Sequence, residues 1–159
     1  MDIPTIELAR IQAQVLVPLV KALREELGEE KADALVRKAL AAQFRKFGEK
    51  WWKETGGRGI GESMAAAFEK YAEGEALDYD VLKKTPEAFD LNITGCRYAE
   101  FYKKIGAPEL GFVLTCSADF PMAEGFGADV HLTRTQTIMQ GASHCDFRYA
   151  LKRSEKDKE

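Results

Sequence analysis

The spacing of hydrophobic residues changes near the middle of the chain. In the first half they recur every three or four positions, which predicts helices from about Thr5 to Leu27, Glu29 to Glu54 and Glu62 to Glu73. Pro18 lies inside the first helix and is expected to kink or divide it. The hydrophobic series of that helix is Leu8, Ile11, Val15, Leu19, Leu23 and Leu27.

The stretch 56–61, Gly-Gly-Arg-Gly-Ile-Gly, is too rich in glycine to continue a helix. A phosphate-binding loop would end in Lys-Ser/Thr and follow a strand, and neither feature is present here. We therefore expect a flexible connection between two helices.

After Pro86 the residues alternate between apolar and polar, which predicts a half-buried strand ending at Gly95. Helices are expected over 97–105 and from Pro108 to about Phe120. The chain then closes with a hairpin around a four-residue loop, 140–143. This hairpin would place Ile138 opposite Cys145 and Gln136 opposite Phe147.

Together these elements predict a single α+β domain over residues 1–151. A helical part, 1–74, packs on a small antiparallel β-sheet within a mixed part, 85–151, which carries the site and ends in the C-terminal hairpin. With 159 residues and 45% hydrophobic content, the chain is long enough to bury a core. Residues 152–159 are expected to form a charged tail.

The net charge of −3 and the pI near 5.6 exclude a bulk attraction to nucleic acid or to an anionic membrane. No apolar run reaches the roughly 20 residues that span a bilayer, and the N-terminus does not resemble a signal peptide. Three widely spaced cysteines favour reduced thiols over a disulfide framework. We therefore expect a cytoplasmic protein without nucleic-acid or membrane partners.

One charged residue interrupts an apolar strand face. Arg134 shares that face with Val130 and Leu132, and a buried guanidinium is costly unless an anion meets it. This pattern is typical of a site for an acidic small molecule, although an internal pair with Asp119 or Glu100 would be a purely structural solution.

Five short motifs then follow one another in order: 95–98 Gly-Cys-Arg-Tyr, 106–111 Gly-Ala-Pro-Glu-Leu-Gly, 116–119 Cys-Ser-Ala-Asp, 134–137 Arg-Thr-Gln-Thr and 141–148 Gly-Ala-Ser-His-Cys-Asp-Phe-Arg. The set resembles the L-2-amino-thiazoline-4-carboxylic acid hydrolase family, most strongly over residues 85–149. The resemblance implies a hydrolase that breaks a carbon–nitrogen or carbon–sulfur bond in a small cyclic amidine bearing a carboxylate. The reaction that names the family opens a 2-aminothiazoline ring to a carbamoyl-cysteine.

That chemistry suits several residues of the motifs. A thiolate can add to the central carbon of an amidinium, and we expect Cys145 as the nucleophile with Cys116 as the second candidate. A carboxylate, Asp119 or Asp146, would hold the amidinium. Arg134 would bind the substrate carboxylate. The other substrate-binding candidates are Gln136, Thr137 and His144. No cofactor is expected.

Two other functions are compatible with the same residues. Cys116, Asp119, His144 and Cys145 would surround Zn²⁺ or Mn²⁺ in a metal-assisted hydrolase, although their spacing lacks the close pairs of a metal motif. Alternatively the chain is a sensor-like domain that binds a small molecule without turning it over, and then replacing both cysteines by serine would leave ligand affinity intact.

A homo-oligomer is also expected. Adjacent Trp51 and Trp52 point in different directions from a helix, so both cannot face one core. One of them would be buried by a second subunit, and packing within the chain is the alternative.

Overall fold

In the computed structural model, residues 2–152 form six α-helices and one four-stranded antiparallel sheet, which confirms the α+β class. The sheet order is β1-β2-β4-β3. In chain order the elements are α1 Thr5–Leu27, α2 Glu29–Thr55, α3 Ile60–Tyr71, β1 Leu77–Thr85, β2 Ala88–Cys96, α4 Arg97–Lys104, α5 Pro108–Leu114, α6 Asp119–Gly125, β3 Val130–Thr133 and β4 Cys145–Leu151. Of the expected charged tail, all but Lys152 lies outside the described residues.

The first two helices differ from expectation in detail. Helix α1 runs without a break through Pro18, so the proline does not divide it. Pro18 lies on the exposed side of the helix, where water can hydrate the carbonyl that its missing N–H would have bonded. The buried face of α1 is formed by Ile6, Ala13, Val17 and Val20, and most of the hydrophobic series noted in the sequence faces outward.

The tryptophan pair of α2 is also placed differently. Trp51 and Trp52 are both half-buried, and both pack against the same core cluster. The expectation that they cannot share one core is therefore wrong, because a large indole can reach a core from the flank of its helix. A second subunit is not needed to cover them, and the homo-oligomer stays a prediction.

Strand β1 was not predicted. Leu77, Tyr79 and Val81 alternate with acidic residues, which was a usable signal, but aspartate and lysine are uncommon in strands. The strand lies at the edge of the sheet, and most of its residues are exposed. An edge strand tolerates such a composition because one side of its backbone needs no partner strand.

The closing hairpin has a wider connection than predicted. Strand β3 ends at Thr133, and its register pairs Leu132 with Tyr149 rather than following the predicted Ile138–Cys145 pairing. The chain between 134 and 144 forms a loop with a short 3-10 turn, Ile138–Gln140. Polar side chains accept hydrogen bonds from backbone N–H groups of this loop, so those groups need no partner strand. The observed register differs from the predicted one by two residues. Because side chains alternate between faces with a period of two, each strand residue still lies on its predicted face.

The predicted helix from Pro108 to Phe120 is broken. It ends at Leu114, continues as a 3-10 turn over Cys116–Ala118 and restarts as α6 at Asp119. Pro121 cannot donate the N–H that a continuous helix needs, and the Ser117 hydroxyl bonds the carbonyl of Phe112 at 2.9 Å. The break directs the Cys116 carbonyl and the Asp119 carboxylate toward the end of β3.

Two hydrophobic clusters form the core. One lies between the sheet, α3 and α6 and includes Phe68, Phe89 and Phe147. The other joins α1, α4 and α5 around Tyr102 and Leu110. The residues that pack against both clusters are Leu77, Cys96 and Ile138. The boundary between the clusters is where the candidate site lies.

Helices α2 and α6 touch through two glycines. A Cβ on Gly48 would lie 2.1 Å from the carbonyl oxygen of Met122, and one on Gly125 would lie 2.2 Å from that of Arg45. Neither position has room for a side chain, so the backbones are in direct contact. Because α6 begins with Asp119, this contact also fixes the position of a candidate site residue.

Replacing Gly48 by alanine should therefore push the two helices apart. We expect a loss of about 1–3 kcal/mol in the free energy of unfolding, measured by urea denaturation, because backbone atoms rather than a flexible side chain must move. Gly57→Ala is the matched control, since its Cβ would meet no atom within 4 Å. Equal stability of the two variants would contradict the close contact.

Candidate functional site

Arg134 is the centre of the candidate site. It follows the end of β3 directly, and its side chain is 3% exposed. Nη1 donates to Asp119 Oδ2 at 2.6 Å and to the carbonyl of Cys116 at 3.0 Å. The guanidinium lies between two aromatic rings, 4.9 Å from the centroid of Phe120 and 5.4 Å from that of Phe147. The cation is thus held by an anion, a carbonyl and two π faces.

Asp119 is the anionic partner. Burial raises the pKa of its carboxyl to about 6, and the ion pair and hydrogen bond with Arg134 offset only part of that rise. About 29% of the side chain remains exposed, so the carboxyl can exchange protons with water. A carboxyl with a pKa near 6 can act as an acid or a base near neutral pH.

The cysteines line the same region from three elements. Burial raises the pKa of the Cys145 thiol, while the Ile138 N–H, which donates to its sulfur at 3.2 Å, and the Arg134 charge lower it. Burial raises the pKa of Cys116 well above the ordinary range, and the Asp119 charge adds to that rise. Both thiols are therefore protonated at rest, and either would need a base to react.

Cys96 has a structural position. Its sulfur accepts the N–H of Ala99 at 3.4 Å and caps the first turn of α4. Burial raises its pKa to about 11, and the Ala99 hydrogen bond counteracts part of that rise.

Asp146 holds the loop rather than facing Arg134. Its carboxylate accepts the backbone N–H groups of Thr135 and Gln136, at 2.8 and 3.0 Å, and also the hydroxyl of Thr135. Burial alone would raise its pKa, but these hydrogen bonds outweigh burial and lower it. Asp146 is therefore an anion that fixes the backbone next to Arg134, and its part in catalysis stays a prediction.

The remaining predicted binding residues belong to the same loop. The amide nitrogen of Gln136 donates to the carbonyl of His144 at 2.9 Å, and the hydroxyl of Ser143 contacts His144 Nδ1 at 2.9 Å. Thr137 is buried, and its side chain caps the 3-10 turn by accepting the N–H of Gln140 at 3.2 Å. The eight predicted site residues thus divide into a central set, Arg134, Asp119, Cys116 and Cys145, and a loop set, Gln136, Thr137, His144 and Asp146.

Sequence reasoning missed the aromatic surroundings. Tyr71 and Tyr149 lie near enough to Asp119 for its charge to act on their hydroxyls, and burial is the main cause that raises both pKa values. Phe120 is 36% exposed and covers Arg134 from the solvent side. The strand period places Tyr149 on the same face as Cys145, so its position near the site could have been predicted. Tyr71 belongs to a helix distant in sequence, and no local pattern indicates that it lies near Asp119.

A cavity of about 150 Å³ lies near the helix break, and none of the four central residues is in its wall. It lies between α2 and the turn at 116–118, and its wall includes Arg37, Ser117, Ala118 and Pro121. Among residues 2–152, no three His, Cys, Asp or Glu side chains are grouped as ligands for a metal ion. The four residues of the metal-assisted alternative therefore do not form a ligand set in that part of the chain.

Residues 9–149 match the family model of the L-2-amino-thiazoline-4-carboxylic acid hydrolases. No curated protein matches the chain significantly. Among solved structures, the phenol-responsive sensory domain of the transcription activator PoxR, with phenol, aligns at a TM-score of 0.52 and 14% identity, over 90% of this chain and 76% of that one.

A second solved structure is trafficking protein particle complex subunit 3 from Naegleria fowleri, covalently bound to palmitic acid. It aligns at a TM-score of 0.43 and 14% identity, over 91% of this chain and 97% of that one, which is too slight a likeness to carry a functional argument. None of the helices within residues 2–152 has the length and apolarity needed to cross a membrane.

Removing one member of the central ion pair should be costly. Asp119→Ala leaves the Arg134 cation buried without its carboxylate, and we expect a loss on the order of 3 kcal/mol in the free energy of unfolding at pH 7. The double variant Asp119→Ala/Arg134→Met should recover much of this loss, because no buried charge remains.

The control for this pair is Glu124→Ala in the same helix. Glu124 pairs with Arg45 at 2.8 Å, but both side chains are about half exposed, so its loss should cost at most about 1 kcal/mol. Denaturant titrations of the three variants measure the differences. A double variant less stable than Asp119→Ala would contradict the expected coupling.

Proposed function

The chain belongs to the L-2-amino-thiazoline-4-carboxylic acid hydrolase family, and on this premise we propose that it opens a small carboxylate-bearing cyclic amidine by hydrolysis. The observation that carries the proposal is the Arg134–Asp119 pair. The pair consists of a buried cation and a carboxyl whose pKa is raised to about 6, and the thiols of Cys116 and Cys145 lie near enough for its charges to act on them. A nucleophile, a base and an anion-binding group are the parts that such a reaction needs.

Cys145 is the favoured nucleophile. The Ile138 N–H that donates to its sulfur at 3.2 Å would stabilise a thiolate, and the Arg134 charge acts in the same direction. The pKa of Cys116 is raised more strongly, with Asp119 adding to the effect of burial. Cys116 is therefore the second candidate.

Asp119 would be the base. Both thiols are neutral at rest, so a proton must leave as the sulfur attacks, and a carboxyl with a pKa near 6 is largely ionised at pH 7. Its 29% exposure also lets it meet a substrate arriving from solvent. The ionised form would in addition favour the amidinium state of the ring.

The steps balance with one water consumed. The Cys145 sulfur adds to the amidinium carbon, Asp119 takes the thiol proton, and the ring heteroatom leaves with that proton. The substrate is then joined to Cys145 through the former amidinium carbon. Water adds to this carbon, the Cys145 thiol leaves, and the proton of the original amidinium passes to solvent. The product is a carbamoyl-cysteine when the ring is an aminothiazoline.

Arg134 would bind the carboxylate of the substrate. Within the described chain its Nη1 is engaged by Asp119 and Cys116, which leaves Nε and Nη2 for a ligand. The loop set would orient the site rather than react with the substrate, since Asp146 fixes the backbone of Thr135 and Gln136 next to Arg134.

The likeness of the fold to a phenol-responsive sensory domain favours a second candidate, a domain that binds its ligand without turnover. In that case Arg134 would hold an acidic ligand and the cysteines would only line the pocket. The two candidates differ in what the cysteines do, so cysteine variants separate them.

The first test is incubation of the chelator-treated protein with L-2-amino-thiazoline-4-carboxylate, followed by mass spectrometry. We expect a product heavier by one water, with turnover retained after chelation. A new free thiol in the product would mean that the carbon–sulfur bond breaks, and a new amine would mean the carbon–nitrogen bond. Activity that returns only with Zn²⁺ or Mn²⁺ would instead favour the metal-assisted alternative.

Cysteine variants test the nucleophile. Cys145→Ser should lower kcat by about 10³-fold or more, because serine is a far weaker nucleophile at this pH. Cys96→Ser is the matched control and should stay within a few-fold of the wild type, since Cys96 caps α4. Loss of turnover in Cys116→Ser alone would transfer the role to Cys116. Ligand binding that survives Cys116→Ser/Cys145→Ser, with no turnover in the wild type, would favour the sensor.

The pH profile tests Asp119. Its folded pKa of about 6 lies above the ordinary value of 3.8, so the carboxyl loses its proton as the pH rises through 6. As a base it works only when ionised, and kcat/KM should rise across that range and then level off. The same upward shift means that Asp119 contributes to fold stability below pH 4, and this contribution is lost as the pH rises toward 6. Asp119→Asn should remove the rise in kcat/KM, and an unchanged acid limb would contradict the assignment.

A further inference from the structure

Helix α1 carries an apolar seam that nothing in the described chain covers. Its exposed side chains are Leu8 at 44%, Ile11 at 52%, Val15 at 68% and Leu19 at 52%. The opposite face of α1 already packs into the core through Ala13 and Val17, so the helix cannot rotate to hide this seam without exposing them. A contiguous exposed apolar patch of this kind marks an interaction surface.

The spacing of the seam identifies a helix as its partner. The exposed apolar positions are Leu8, Ile11, Val15, Pro18 and Ala22, separated by steps of 3, 4, 3 and 4, with Leu19 beside them. This is the seven-residue repeat of helices that pack side by side. The seam from Leu8 to Ala22 is about 21 Å long at 1.5 Å per residue.

A groove runs along one side of the seam. It has a volume of about 520 Å³ and lies between α1 and α4, with Ile11, Pro18, Phe101 and Ile105 in its wall. Ile105 directly follows α4 and is 43% exposed, so the apolar surface extends beyond α1. Together the seam and the groove offer both projecting side chains and a depression to receive them.

The charges beside the seam make it complementary to itself. Glu7 and Lys21 are fourteen residues apart, so they flank the same edge at opposite ends of the repeat. An antiparallel second copy would place Glu7 of each copy beside Lys21 of the other. In a parallel pair the matching edges lie on opposite sides of the contact, so Glu7 and Lys21 would not meet each other.

We propose that two copies of this chain associate through α1, with their seams antiparallel around a two-fold axis near the middle of the seam. A stable interface covers about 800 Å² on each copy, and the groove wall on α4 widens the contact beyond the α1 helix alone. The proposal does not depend on the proposed reaction. It also places the interface on the first helix rather than at the tryptophan pair.

Sedimentation equilibrium of the full chain tests the association. We expect a species of twice 17.8 kDa at micromolar concentrations. Leu19→Glu or Val15→Glu should raise the dimer Kd by about 100-fold or more, since each would bury two charges at the seam. Leu82→Glu is the matched control: Leu82 is 56% exposed on β1, far from the seam, and its variant should remain dimeric. Circular dichroism checks that each variant is folded.

Cross-linking tests the antiparallel direction. Val15→Cys lies near the proposed axis and should form a dimer with a short thiol-specific cross-linker. Ala22→Cys lies at the end of the seam, where an antiparallel copy places the two residues about 21 Å apart along the helix axis, and it should not. Cross-linking of both variants would mean a parallel pair and overturn the proposed geometry. A monomeric wild type, or folded seam variants that remain dimeric, would overturn the interface itself.

Discussion

The pairing of Arg134 with Asp119 is the interaction on which the site depends. A guanidinium that is 3% exposed is a buried charge, so the fold must supply an anion, a carbonyl and aromatic faces around it. Supplying them requires the helix break at 115–118, the restart of α6 at Asp119 and the departure of the chain from β3 after Thr133. One buried cation thus depends on three local irregularities.

The same pair connects stability with chemistry. Burial raises the Asp119 pKa further than Arg134 lowers it, so the carboxyl is kept near its point of ionisation. Such a balance is unfavourable for the fold at neutral pH and useful for proton transfer. The thiols beside it are protonated at rest, which makes a nearby base a requirement of any thiol mechanism here.

Support for this arrangement comes from outside the site. The Gly48–Gly125 contact brings the backbone of α6 against α2, and the Asp146 carboxylate holds the loop that follows Arg134. The outward seam of α1 is the opposite case. Its residues contribute little to the core of one copy, and in the proposed dimer their regular spacing would serve a partner helix rather than the fold of the chain.

The sequence by itself determined the α+β class, the two long helices, strand β2 and the motifs that identify the family, because periodicity and ordered motifs are local properties. It also indicated that Arg134 needs an anion and offered Asp119 as one partner. Tertiary structure decided which face of α1 is buried, how β3 and β4 align, and that Asp146 holds a loop while Asp119 meets the cation. Those outcomes depend on contacts between distant segments, such as Tyr71 near Asp119, and no pattern within a single segment encodes them.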